Sequence, residues 1–148
     1  FTRIVRDIDE HVVVSKFTGD TSDRDLILKD FADGKIDVLT SMKCLDEGVD
    51  VPRSELAIFC SSTGNPRQFV QRRGRVLRTH KDKHCAIIHD LVVIPGYVSD
   101  EDTYELEKGL VGTEVKRVRD FAVLSENCND TLAVLDDVLT RYNISLFE

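Results

Sequence analysis

Apolar residues in this chain fall into short blocks, and the spacing within the blocks changes along the sequence. Phe1, Ile4, Val5 and Ile8 recur with a helical period, which predicts the end of a helix over residues 1–9. The β-branched run Val12, Val13, Val14 predicts a strand over residues 11–17, closed by the turn Thr18-Gly19-Asp20. Ser22, with Asp25 three positions on, resembles a capping box. It opens a helix through Ala32, with Leu26, Ile27, Leu28 and Phe31 as its buried side and Gly34 as its stop. Further strands are predicted over residues 36–40 (IDVLT), 56–60 (LAIFC) and 85–89 (CAIIH), the last able to continue through residues 91–94. The strand over residues 56–60 is almost wholly apolar, as suits one covered on both faces. Strands alternating with helices across short connections predict a parallel sheet with right-handed crossovers.

Beyond Pro95-Gly96 the pattern changes. Ser99 precedes the acidic residues Asp100, Glu101 and Asp102, a composition suited to a helix N-terminus. Tyr104, Val111, Val115, Val118 and Ala122 then form one helical stripe, with Leu110 and Phe121 beside it and Gly109 and Gly112 as points of bending. Asn129 is placed to cap a second helix with Leu132, Leu135, Val138, Leu139 and Tyr142 on its apolar side. The expected organisation is an α/β lobe over residues 1–95 and a helical hairpin over residues 96–148 that packs on it.

At 148 residues the chain has enough length for a real core, and no apolar run approaches a membrane span. It opens on Phe1 rather than Met, so it is expected to be part of something longer. The net charge of −7 argues against adhesion to nucleic acid through the whole surface, but the cations are concentrated. Residues 63–84 hold seven Lys and Arg against one acid, Asp82. The four cysteines lack metal-ligand spacing and mostly sit in apolar strings, so buried free thiols are expected. His80, His84 and Cys85 have no further ligand in register, and no metal site is expected.

The basic segment is organised as a helix. Asn65-Pro66 supplies a cap and a first-turn proline. Gln71, Arg75 and Arg78 follow at i, i+4 and i+7 on one face, with Val70, Val76 and Leu77 free to point inward. Guanidiniums along one face suit phosphate, because each offers a rigid fork of N–H donors. An arginine run alone also describes any solvated basic helix. No GxxxxGK[ST] loop occurs, and Asp46-Glu47 lacks the apolar strand a Mg²⁺-binding acid pair would follow. A phosphate-binding helix without a phosphate-cradling loop suggests half of a composite nucleotide site.

Two strings then agree. VLTSMKCLDEGVDVP (residues 38–52) resembles motif V of the superfamily 2 helicases, and QRRGRVLR (residues 71–78) resembles their motif VI, QxxGRxxR. Thr18-Gly19-Asp20, Arg24, Leu28, Phe31 and Gly34 fit the spacing upstream. Over residues 12–90 the chain is therefore similar to the C-terminal RecA-like lobe of that superfamily. Gln71, and the wording around it, are similar to DNA-acting members: the transcription-factor-H-type repair helicase and restriction-system translocases.

The resemblance implies a RecA-like parallel sheet with helices on both faces, its first strand upstream of this chain. It implies that Arg75 and Arg78 act as arginine fingers on the γ-phosphate of ATP, with Gln71 orienting that phosphate or the attacking water. Gly48, Asp50 and Gly74 would line the nucleotide, and Thr40 and Ser41, with Thr18 and Gly19, would contact the nucleic-acid backbone. Mg²⁺ would be held mainly by the first, N-terminal RecA-like lobe, so this lobe alone would be inactive. The implied partners are DNA and that first lobe, with no membrane, in an intracellular setting. An RNA helicase lobe, or a helicase-like module that has lost catalysis, are the alternatives. Thr40 is also readable as an ordinary strand-end hydroxyl, Gly48 as a turn glycine, and Arg72 and Arg73 as structural.

Overall fold

The alternation of helical and extended blocks is realised as α1 (Thr2–Ile8), β1 (Val14–Phe17), α2 (Arg24–Ala32), β2 (Val38–Ser41), β3 (Leu56–Phe59), α3 (Pro66–Val76) and β4 (Ile87–Asp90). Three helices follow: α4 (Glu101–Ala122), α5 (Cys128–Ala133) and α6 (Asp136–Tyr142). This computed structural model describes residues 1–42, 51–60, 66–96 and 100–147, the side chains of residues 66–69, 72, 101 and 102 excepted. The chain divides into two compact units, Phe1–Leu91 and Val92–Glu148. The fold is α/β, and among the described residues its strands pair in parallel as β1 with β2 and β3 with β4.

In the first unit the β1–β2 register sets Ser15 beside Leu39 and Phe17 beside Ser41, so these four share one face. Val14, Lys16, Val38 and Thr40 share the other. Phe17 is fully buried and packs with Leu39, Val51, and Ile27, Leu28 and Phe31 of α2. The opposite face meets α1, whose Thr2 hydroxyl lies 2.7 Å from that of Thr40 and whose Arg6 donates to the Val14 carbonyl at 3.0 Å. Helices thus cover both sides of this strand pair. The predicted Ser22 capping box does not form. Asp23 takes the cap position without a side-chain cap bond, and the Ser22 hydroxyl donates to the Asp23 carboxylate instead. Leu26, expected inside, is exposed.

Helix α2 ends as the glycine predicts. Gly34 takes φ 77°, and Lys35 N–H reaches back to the Asp30 carbonyl at 2.8 Å. Arg53 donates to the Ala32 carbonyl at 3.0 Å, so its guanidinium sits where a Cβ on residue 34 would fall. Gly34 therefore takes a left-handed backbone without strain and leaves room for the Arg53 guanidinium.

The β3–β4 pair departs from the expectation of double coverage. Leu56, Ile58, Ile87 and His89 alternate with half-buried neighbours, and all four stand exposed on one face. Cys60 and Cys85, expected buried, are exposed; Cys60 follows the last paired residue of β3, and Cys85 precedes the first of β4.

The second unit has its own core of Val111, Val115, Val118, Leu135 and Tyr142. The helical stripe is where the periodicity predicts it, but α4 runs through Gly109 and Gly112 as one 22-residue helix. Asp100 caps it, accepting from Thr103 N–H at 2.8 Å, whereas Ser99 lies outside the described residues. The second helix of the expected hairpin is two short ones, α5 and α6, with Asn127 rather than Asn129 at the cap position of α5. No described helix is long and apolar enough to cross a membrane.

Tyr142 has no exposed surface; its ring stacks on Tyr104 and its hydroxyl donates to Glu107 Oε2 at 2.9 Å. Burial, then the bond to Glu107, push the phenol above its ordinary value. The folded state therefore keeps this proton longer than the unfolded chain does. The associated stability is fully present below the unfolded phenol value of ~10 and is lost as pH rises through the higher folded one. Thermal unfolding followed from neutral to strongly alkaline pH should show the melting temperature falling beyond that point. In Tyr142→Phe, that alkaline fall should be shallower. An identical fall in both proteins would mean that Tyr142 is not its source.

Candidate nucleotide and nucleic-acid interface

Parallel strands end together, so residues just past β1 and β2 share one edge. The pairing of Phe17 with Ser41 sets Thr18 and Gly19 next to Ser41 and Met42 at the carboxyl edge of this pair. Ligands of open α/β sheets bind outside that edge. The four predicted backbone-contacting residues, Thr18, Gly19, Thr40 and Ser41, are brought together there. Their availability differs. The Thr18–Thr21 turn is closed on itself, with Thr18 N–H bonded to Thr21 Oγ1 at 2.9 Å and Thr21 N–H to the Thr18 carbonyl at 3.1 Å. Gly19 at its tip is exposed, and a Cβ added there would meet nothing within 4 Å.

Thr40 is more occupied. Its hydroxyl reaches the Ser15 carbonyl at 3.3 Å, a contact in which it must donate. The Thr2 hydroxyl at 2.7 Å is then the donor to Thr40. The Thr40 hydroxyl is thus engaged on both sides, as a structural strand-end hydroxyl would be. Ser41, next along, is exposed.

The arginine segment forms α3, and the helix ends earlier than the sequence spacing suggests. Gln71 and Arg75 lie one turn apart on it, with Gly74 between them, but the last helical residue is Val76. Arg78 lies beyond the end, so it does not continue the Gln71–Arg75 face. Gln71 and Gly74 are exposed, Arg75 is half-buried and Arg78 exposed. The space over Gly74 is open: a Cβ there would meet nothing within 4 Å. Of the three apolar residues expected inside, only Val76 is buried; Val70 and Leu77 are exposed. Gly48 and Asp50 lie outside the described residues.

A residue the sequence reading passed over closes the end of α3. Lys83 Nζ donates to the Val76 carbonyl and, at 3.0 Å, to the Arg78 carbonyl. Its return is set by a turn in which Lys83 N–H bonds the His80 carbonyl at 3.0 Å. The last carbonyls of a helix have no partner within it, and a cation there also complements the helix dipole. In the sequence Lys83 was one more charge of a basic run. A cation shortly after a helix stop was the available signal.

Residues 3–80 match the helicase conserved C-terminal domain, more than half of the chain. Among curated proteins the chain is similar to the DNA 3'-5' translocase XPB2 of Sulfurisphaera tokodaii, 43% identical over 77 residues, which are 52% of this chain and 17% of that protein. It is also similar to Dicer-like protein 2 of Pyricularia oryzae, 37% identical over 68 residues, 46% of this chain and 5% of that one. With the ATP-dependent DNA helicase RecG of Thermotoga maritima it shares 23% identity over 128 residues, 83% of this chain and 15% of the relative. The chain spans less than a fifth of the length of each. The helix-borne Gln71, Gly74 and Arg75, the Arg78 that follows, and the match across residues 3–80 lead to one assignment: the chain belongs to the helicase conserved C-terminal domain family.

Proposed function

We propose that this chain is the second motor lobe of an ATP-dependent DNA helicase or translocase, working against ATP held chiefly by a first RecA-like lobe. The observation that carries this reading is α3 and its sequel, which set Gln71, Gly74, Arg75 and Arg78 along about one and a half turns of helix and the following segment. Arg75 and Arg78 supply fixed positive charge to the γ-phosphate as negative charge shifts during its transfer. Gln71, exposed and uncharged, orients the phosphate or the attacking water through its amide. Gly74 contributes by having no side chain, so that phosphate oxygens can approach the helix. In the same reading Gly48 and Asp50 line the nucleotide, and Mg²⁺ is held by first-lobe acids. Two lobes drawn together by shared ATP, and released after hydrolysis, would step along a nucleic acid.

The carboxyl edge of β1–β2 is the proposed track. Ser41 and the Gly19 tip are its exposed members, suited to phosphodiester oxygens through a hydroxyl and a backbone N–H. Such contacts carry no sequence information, which a stepping motor requires. Thr18 and Thr40 shape this edge, and Thr40 reaches nucleic acid only by exchanging its bonds to Thr2 or Ser15. DNA, rather than RNA, is favoured because the relatives named for DNA include the 43%-identical translocase. ATPase assays on the full-length protein with DNA or RNA test this. Stimulation by DNA and little by RNA is expected; preferential stimulation by RNA would replace the DNA motor with an RNA one. This lobe alone should hydrolyse no ATP.

A further inference from the structure

We infer that Lys83 is the positioning residue of the arginine-finger segment, an inference that rests on the role proposed above for Arg78. The helical hydrogen-bond ladder ends with Leu77 N–H bonded to the Arg73 carbonyl at 3.0 Å, so Arg78 stands on backbone that the helix no longer holds. A planar guanidinium recognises phosphate best in a fixed orientation, so the backbone that carries it matters. Lys83 supplies a constraint beyond the helix end. One ammonium bonds the carbonyls of Val76 and Arg78, spanning Leu77 and tying the last helical residue to the arginine's own peptide unit.

The anchor is firm at both ends. Val76 is buried, which fixes the helix side of the clamp. Lys83 is half-buried and is returned toward the helix by the His80–Lys83 turn, where Asp82 N–H also reaches His80 Nδ1 at 3.4 Å. An ammonium has three donors, so two carbonyls use most of its capacity. Lys83 is thus committed chiefly to the chain's own backbone. It sets the direction in which Arg78 leaves the chain.

The test uses the full-length protein carrying Lys83→Met, Lys83→Arg, Arg78→Ala, and Lys83→Met combined with Arg78→Ala. Nucleic-acid-stimulated kcat and KM for ATP, nucleic-acid affinity and thermal unfolding are measured for each. Lys83→Met is expected to lower kcat by about ten- to a hundredfold, the scale of a misplaced catalytic group, with KM and nucleic-acid affinity little changed. Lys83→Arg, which keeps the charge and the donors, should recover most of kcat. In the Arg78→Ala background Lys83→Met should cost nothing further, since residues acting through one another are not additive. If Lys83→Met does not fold, Lys83→Gln, which retains a donor, takes its place with a smaller expected loss.

Loss of turnover in Arg78→Ala with full turnover in Lys83→Met overturns the positioning role alone. The same holds if Lys83→Met lowers the residual rate of Arg78→Ala as strongly as it lowers the wild-type rate. Near-normal turnover in Arg78→Ala overturns the finger role, and the positioning role with it.

Discussion

Arg78→Ala in the full-length protein should abolish nucleic-acid-stimulated ATP hydrolysis, with a loss on the order of 10³-fold or more in kcat, the scale of an arginine finger in phosphoryl transfer. The effect is expected to be catalytic and not structural. Arg78 lies outside α3 and its side chain is exposed, so removing it opens no cavity in the core of Phe17 and Val51. Thermal unfolding of the variant should therefore match the wild type. Arg78→Lys should recover only part of the rate, since a point charge lacks the fork that holds two phosphate oxygens. Turnover within about tenfold of wild type in Arg78→Ala would remove Arg78 from the catalytic set.

Phe17→Ala should do the opposite, destabilising the first unit before any question of catalysis arises. The ring is fully buried among Ile27, Leu28, Phe31, Leu39 and Val51, so it joins β1, β2, α2 and the segment after residue 50. Truncating a buried phenylalanine to alanine costs about 3–5 kcal/mol, from lost transfer energy and the cavity left behind. Arg24 adds a small part, its guanidinium lying 4.8 Å from the ring centroid. Against a typical total of ~5–15 kcal/mol, this is enough to leave the unit marginal. Urea unfolding would show a lower midpoint at an unchanged slope. A cost below about 1 kcal/mol would mean that the ring is not the centre of this core.

The sequence made the core positions more legible than the surface ones, for a physical reason. Val111, Val115, Val118 and Ala122 recur at helical spacing because only that spacing puts them on one buried face, and the structure buries all four. Phe17 and the α2 residues Ile27, Leu28 and Phe31 follow the same logic. Helix ends were harder. Ser22 and Asp25 have the composition of a capping box, yet Asp23 takes the cap position; composition permits several caps and packing selects one. Gly109 and Gly112 looked like breaks but are carried within α4, whose valine face is held by the α5–α6 segment.

The candidate site divides in the same way. Thr18, Gly19, Thr40 and Ser41 could be grouped in advance, because parallel pairing forces strand ends onto one edge. The engagement of Thr40 by Thr2 could not, since a hydroxyl contact spanning 38 residues leaves no local pattern. The assumption that Gln71, Arg75 and Arg78 share a face failed because it extended the helical period past Val76, where the helix stops.

The end of α2 carries a constraint on how this sequence can change. Position 34 and the guanidinium of Arg53 claim the same volume, so a side chain at position 34 would displace the flexible end of Arg53 and its bond to the Ala32 carbonyl. The steric conflict is relieved once the arginine swings aside, but the left-handed backbone at residue 34 remains. Even then Asn or Asp would enter most easily, since they tolerate the left-handed backbone best. Among homologous chains, departures from glycine at this position should therefore favour those two residues, whatever stands at position 53.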